Sequence, residues 1–237
     1  MKVDETLKQW VAVIPARSGS KGIKDKNCQL IKNKSLIQWA VDSALRLGLS
    51  AEQIFVASDS KSYQDYFSRA SFLLRNKNDA GDEDGLDKLI VNILPEILKR
   101  SPSSKNLLLL LPTQPFRNNR TMRAAIEEFR KVSAKALISV KQIDRSENTI
   151  FFRSRKSTQL VPLSGQWVRS EQRQSIDPLF TPCGCFYLYS IDDFRVNKSL
   201  MIEGMISVPT SFPENLDIDS PLDLEVARHI CEKFQFA

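Results

Sequence analysis

Histidine is almost missing from this chain: one residue, His229, stands among 237. A single imidazole excludes a His-rich zinc site and leaves little room for a histidine-based catalytic triad. Cysteine is also sparse. Cys28, Cys183, Cys185 and Cys231 make no CxxC pair, and the chain is not a short, disulfide-dense scaffold, so a reducing cytoplasm is the expected home. No run approaches the roughly 18–20 apolar residues of a membrane span. The charged N-terminus, MKVDETLKQW, lacks the apolar core of a signal segment. Two familiar phosphate-binding signatures, GxxxxGK[ST] and GxGxxG, are absent as well.

What is present reads as an ordinary globular chain, with 42% apolar and 26% charged residues. The net charge of +6 points to an anionic partner. The basic residues are scattered, without a dense tract or interleaved aromatics, which favours a phosphorylated small molecule over nucleic acid. Apolar runs at 10–15, 53–58, 71–75, 106–111, 136–141, 184–190 and 205–209 predict strands. Helix-like stretches fall at 35–47, 61–69, 86–99, 119–132 and 220–234. Their alternation predicts an α/β fold with a doubly wound, mostly parallel sheet. Residues 142–180 break the rhythm: polar, with short β-like pieces and two prolines, they read as an insert between core segments 1–141 and 181–237. That insert is either a subunit-contact arm or a long surface excursion.

Three segments carry chemistry. In VAVIPARSGSKGIKDKN (11–27), an apolar strand drops into a loop that packs Arg17, Lys21, Lys24 and Lys26 around Gly19 and Gly22. Glycines admit a ligand close to the backbone, and amides with cations suit a polyphosphate. Arg17, Lys21 and Lys26 are the expected phosphate partners. In NLDIDSPLDLEVA (215–227), Ser220, Pro221 and Asp223 spell a capped helix start. Asp217 and Asp219 precede it on one side of an extended chain. Two such carboxylates suit magnesium, although acids before a helix are also favoured by its dipole. In LLLPTQPFRNNRT (109–121), a buried strand ends in a Pro-bounded loop displaying Thr113, Gln114 and Arg117; the loop is either ligand-facing or a rigid strand-to-helix turn. Asp59, ending another strand, is expected to cap the helix after it.

Taken together, these residues resemble the acylneuraminate cytidylyltransferases, which make CMP-activated sialic acids and related nonulosonates. IPARSGSKGIKDKN is similar to the family's signature loop, LLLPTQPFR resembles its LLQPTSPLR, and Asp217-Ile218-Asp219 matches its metal-binding acids. Arg75 with Asp82, and Arg173-Gln174 ahead of a Cys-Gly strand, fall at the family's spacing. The resemblance implies CTP and an acidic sugar as substrates, with Arg17, Lys21 and Lys26 at the triphosphate. It implies Asn27 and Arg75 near cytosine and ribose, Arg173 on the sugar side, and Mg2+ on Asp217 and Asp219. Asp82, Thr113, Gln114 and Cys183 complete the expected substrate site. It also implies a homodimer whose projecting arm reaches the partner's site. The chain departs from the pattern at Leu111 (usually Gln), at Gln114 (usually Ser), and at Thr181-Pro182-Cys183-Gly184-Cys185, where RPNGA is common. The expectation is a kept reaction with an unusual acceptor. Another nucleotide or sugar phosphate on the same fold, or a binder without turnover, are the alternatives.

Overall fold

A run such as LLLLL at 107–111 has no polar face, so a strand made from it must be covered on both sides. Leu107, Leu108 and Leu109 take that position, fully buried in the middle of a seven-stranded sheet. The computed structural model describes residues 5–20, 22–75, 85–145, 149–153, 155–156, 158–167 and 178–233. The strands are β1 (Trp10–Pro15), the two-residue β2 (Leu30–Ile31) and β3 (Lys34–Ser35), β4 (Ile54–Ser58), β5 (Ser71–Leu74) and β6 (Asn106–Leu109). They continue as β7 (Ala136–Ile143), the two-residue β8 (Phe151–Phe152) and β9 (Val161–Pro162), β10 (Leu179–Ser190) and β11 (Ile206–Pro209). The helices are α1 (Leu36–Leu47), α2 (Leu86–Arg100), α3 (Asn119–Lys131), α4 (Ile191–Asn197) and α5 (Pro221–Lys233).

The sheet order is β11-β7-β10-β6-β1-β4-β5. Among the described residues of this sheet, β10 alone runs antiparallel to its neighbours and the remaining pairings are parallel. The mostly parallel, doubly wound reading therefore stands. Side chains alternate across β1: Ala12 and Ile14 meet α1 and α3, while Val11 and Val13 meet α2 and α4. The chain leaves β1 toward β4 and β5, then returns to β6 on the other flank. That reversal opens a crevice at the carboxyl ends of β1 and β6, where such sheets bind ligands.

A third apolar cluster shapes the crevice. α5 buries Leu224, Ala227 and Ile230 against Trp39 of α1, and the same cluster takes in Ile23 from the basic loop and Ile218 from the acidic segment. Complete burial of Ile218 is worth about 1.5–3 kcal/mol. This packing draws residues about 195 positions apart in the chain to one place.

Three expectations need correction. The stretch 61–69 forms only a 3-10 turn at Lys61–Tyr66 with Tyr63 buried, too few apolar contacts to support a longer helix, and Arg69 turns left-handed (φ 60). Helix α4 went unforeseen because seven residues are too short to display a period; Ser190 caps it by accepting from the Asp193 amide. The insert boundaries 142–180 overlap the sheet, since β7 runs to Ile143 and β10 starts at Leu179. Within β10 the register slides between Pro182, opposite Val140, and Tyr187, opposite Ile138. Gly184 (φ 80) sits in this bulge, and Ser139 Oγ stitches its end by bonding both the amide and the carbonyl of Phe186.

Candidate active site

The loop after β1 is held from below. Ser18 donates its amide to Asp59 Oδ1 (2.8 Å) and its hydroxyl to Asp59 Oδ2 (2.5 Å). Arg75 Nη2 lies 3.6 Å from Asp59 Oδ1, with both side chains nearly inaccessible. Asp59 is therefore not the helix cap that the sequence led us to expect; it is the clamp between the loop and the ends of β4 and β5. Burial pushes its carboxyl up, but the Ser18 bonds, its own backbone and Arg75 outweigh that and hold it below the usual carboxylate range. A depressed folded pKa contributes stability above the ordinary carboxylate pKa and loses it as pH falls through the folded value. Asp59→Asn is expected to cost about 1–3 kcal/mol at neutral pH. In urea denaturation the gap between parent and variant should close as pH drops below about 4. A gap independent of pH would contradict the clamp.

Asn27 also serves the loop itself. Its side-chain amide donates to the Arg17 carbonyl at 2.9 Å, and the residue is buried. Arg17 is half-buried in the same loop. Lys21 and Asp82 lie outside the described residues, as does Arg173.

The acidic segment meets the loop directly. A Cβ built on Gly22 would stand 2.5 Å from the Asp219 carbonyl oxygen, so only glycine permits this approach. Lys26 Nζ bonds Asp219 Oδ1 at 2.8 Å, on a carboxylate that is 72% exposed. Asp217 is less accessible than Asp219, and its Oδ1 is buried without a hydrogen-bond partner. Burial pushes the Asp217 carboxyl up and the neighbouring Asp219 adds to this, while a Thr113 hydrogen bond, Lys26 and Lys141 pull it down. The Ile218 amide donates to the Thr113 carbonyl (2.9 Å), pinning the segment over β6. The helix start reads as expected, with Ser220 and Asp223 exchanging capping bonds.

Gln114, expected to face substrate, is fully buried. Its Nε2 donates to the Cys183 carbonyl and its Oε1 accepts from Cys185 Sγ (2.9 Å), so both amide ends are spent inside the protein. Arg117 is buried too, donating to the carbonyls of Cys185 and Leu111. Desolvation lowers its pKa to about 10. Cys183 is buried with Sγ 3.2 Å from Thr210 Oγ1. The Cys185 thiol is pushed up by its neighbour Cys183 and by burial, and so stays protonated. A Cβ on Gly184 would sit 3.1 Å from both Gln114 Nε2 and Leu111 Cδ1. Leu111, Gln114, Cys183 and Cys185 thus form one interlocked floor. Glu214, which no local pattern announced, steadies it by accepting from the Asn118 amide and Thr121 Oγ1 at the start of α3.

The arrangement can hold a polyanion between a cationic loop and a carboxylate pair. Among the described residues no group of three or more His, Cys, Asp or Glu could hold a metal. Two hard oxygens, one orphaned and buried, fit magnesium, which often takes one or two carboxylates and completes its shell from phosphates and water.

Comparison with known proteins bears on the family and the fold. The family described as cytidylyltransferase matches residues 11–233. The CMP-N,N'-diacetyllegionaminic acid synthase of Legionella pneumophila is 30% identical over 96% of this chain and 98% of its own. The pseudaminic acid cytidylyltransferase of Campylobacter jejuni is 26% identical over 92% and 94%. Among solved structures, CMP:2-keto-3-deoxy-manno-octonic acid synthetase complexed with CTP superimposes with a TM-score of 0.68. It shares 16% identity over 95% of this chain and 99% of its own, a likeness of fold.

Proposed function

We propose that this chain, which belongs to the cytidylyltransferase family, activates a 2-keto sugar acid of the nonulosonate class with CTP, giving a CMP-sugar and pyrophosphate. The observation that carries the reading is the contact of Gly22 and Lys26 with Asp219, which joins a phosphate-type loop to a metal-type acid pair. The triphosphate lies along the loop, with Arg17, Lys21 and Lys26 as its cations. The anomeric hydroxyl of the acceptor attacks the α-phosphorus, and the bond to pyrophosphate breaks in line. Positioning and charge neutralisation supply the catalysis. Asp217 and Asp219 would hold a magnesium ion, which when bound there would offset the charge developing on the triphosphate.

The departures on the acceptor side are tied to one another by the Gln114 bonds to Cys183 and Cys185, which favours a reshaped pocket over a dead one. The reading includes a cytoplasmic homodimer. Its support is the strip between β7 and β10, where Phe152, Leu163 and Trp167 are exposed and Phe151 packs on Trp167 at 5.6 Å. Such an apolar surface suits burial against a second copy. No helix among the described residues is long and apolar enough to cross a membrane.

Pyrophosphate release tests the reading. With magnesium and legionaminic, pseudaminic, sialic or octulosonic acids, CTP should support release, and UTP, GTP and ATP should not. Release with another nucleotide and a sugar phosphate would overturn it. Lys26→Met is expected to weaken CTP binding by roughly 1.5–3 kcal/mol, the range for bonds to charged groups. Thermal stability should barely move, because an ion pair with so exposed a partner contributes about 0–1 kcal/mol. Calorimetric titration and melting of the same variant check both.

A further inference from the structure

An acidic acceptor brings a second anion to the crevice, and the cations of the first loop are committed to the triphosphate. The second anion needs its own. β7 is buried from Ala136 to Val140, apolar but for Ser139, and turns exposed at Lys141 and Gln142 as it nears its end at Ile143, toward the carboxyl edge of the sheet. In the ladder Lys141 stands directly opposite Thr181 of β10. Directly opposed residues project from the same face with their Cβ atoms about 5 Å apart. Thr181 is uncharged, so the lysine is the cation of that rung. It makes no ion pair with any described residue, unlike Lys26.

Position assigns the lysine to the sugar side. In the order β7-β10-β6-β1, Lys141 lies three strands from the phosphate loop, about 14 Å at ordinary strand spacing. The segment carrying Asp217 passes between them: Thr210 donates to Val140, beside Lys141, and Ile218 donates to Thr113, beyond β6. Asp217 accordingly lies within electrostatic reach of both Lys26 and Lys141.

We infer that Lys141 anchors the carboxylate of the acceptor sugar acid, fixing its anomeric hydroxyl over Asp217 and the α-phosphate. This rests on the reaction proposed above. Lys141 is exposed, so its substitution should leave folding intact. Lys141→Gln is expected to raise KM for the acid roughly ten- to hundredfold, as for a lost bond to a charged group. KM for CTP should stay within about twofold, because only acceptor binding is touched. Lys141→Arg should restore most of the acceptor affinity. The sharper reading compares the free acid with its methyl ester: the parent should favour the acid by about tenfold or more, and Lys141→Gln should lose that preference. An unchanged acceptor KM, a surviving preference for the acid, or an equal rise in KM for CTP would overturn the assignment while pyrophosphate release by the parent left the reaction standing. No release by the parent with any acid would overturn both.

Discussion

Asp217→Asn should abolish turnover and leave the protein at least as stable as the parent. The two halves of that result come from one cause. Asp217 is pressed into the crevice with an unpartnered Oδ1, and burial raises its pKa. A carboxyl whose folded pKa is raised binds its proton more tightly in the native state, so its ionised form at neutral pH costs stability. That cost appears as pH rises through the folded value. The amide removes the charge, keeps the shape, and so removes the cost. It also removes one of two oxygens suited to magnesium, and loss of comparable electrostatic stabilisation typically lowers turnover by about 10²–10³ or more. The checks are pyrophosphate release and melting with and without CTP and magnesium. Ligand binding to the native state raises Tm of the parent; in the variant the magnesium-dependent part of that rise should vanish. Undiminished turnover would remove the acid from the mechanism.

Gly22→Val should disable the enzyme without unfolding it. The added Cβ would meet the Asp219 carbonyl oxygen at 2.5 Å, a backbone atom that cannot swing aside. Either the basic loop lifts or the acidic segment does, and in both cases the cations and carboxylates separate. A displacement of about 1 Å in a positioned site can cost about 10²-fold in rate. Ile23, beside Gly22, and Ile218 of the acidic segment belong to the third apolar cluster, so the melting temperature should fall by several degrees, with the main sheet still folded. Gly19 is the contrasting control: a Cβ there meets nothing within 4 Å, but its φ of 73 is unfavourable for alanine. Gly19→Ala should therefore show backbone strain of about 1–2 kcal/mol without the loss of CTP binding. Equal effects from the two variants would contradict the steric account.

Much of this was legible from residue pattern because the fold is built from strands with continuous apolar runs. LLLLL at 107–111 and WVAVIP at 10–15 could only be interior, and the loops after them could only lie at the carboxyl edge. The capped start of α5 was equally plain in Ser220-Pro221-Leu222-Asp223. Contacts between distant segments were not. Asp59 looked like a cap because its only visible neighbours were local, whereas its partners Ser18 and Arg75 arrive from flanking strands. Gln114 looked like a ligand group because a polar residue in a Pro-bounded loop carries no mark of burial; the β10 bulge that consumes it is 69 residues away. Lys141 was hidden for the same reason, since its meaning lies in its register with Thr181.

The meeting of the loop at 16–28 with the segment at 213–221 is tested most directly by amide hydrogen exchange on the full chain, with and without CTP and magnesium. A shared nucleotide should slow exchange in both peptides together, with the same dependence on CTP concentration, and should do so far less in Gly22→Val. Protection confined to one of the two, or appearing in them at different nucleotide concentrations, would mean that the cations and the carboxylates serve separate ligands.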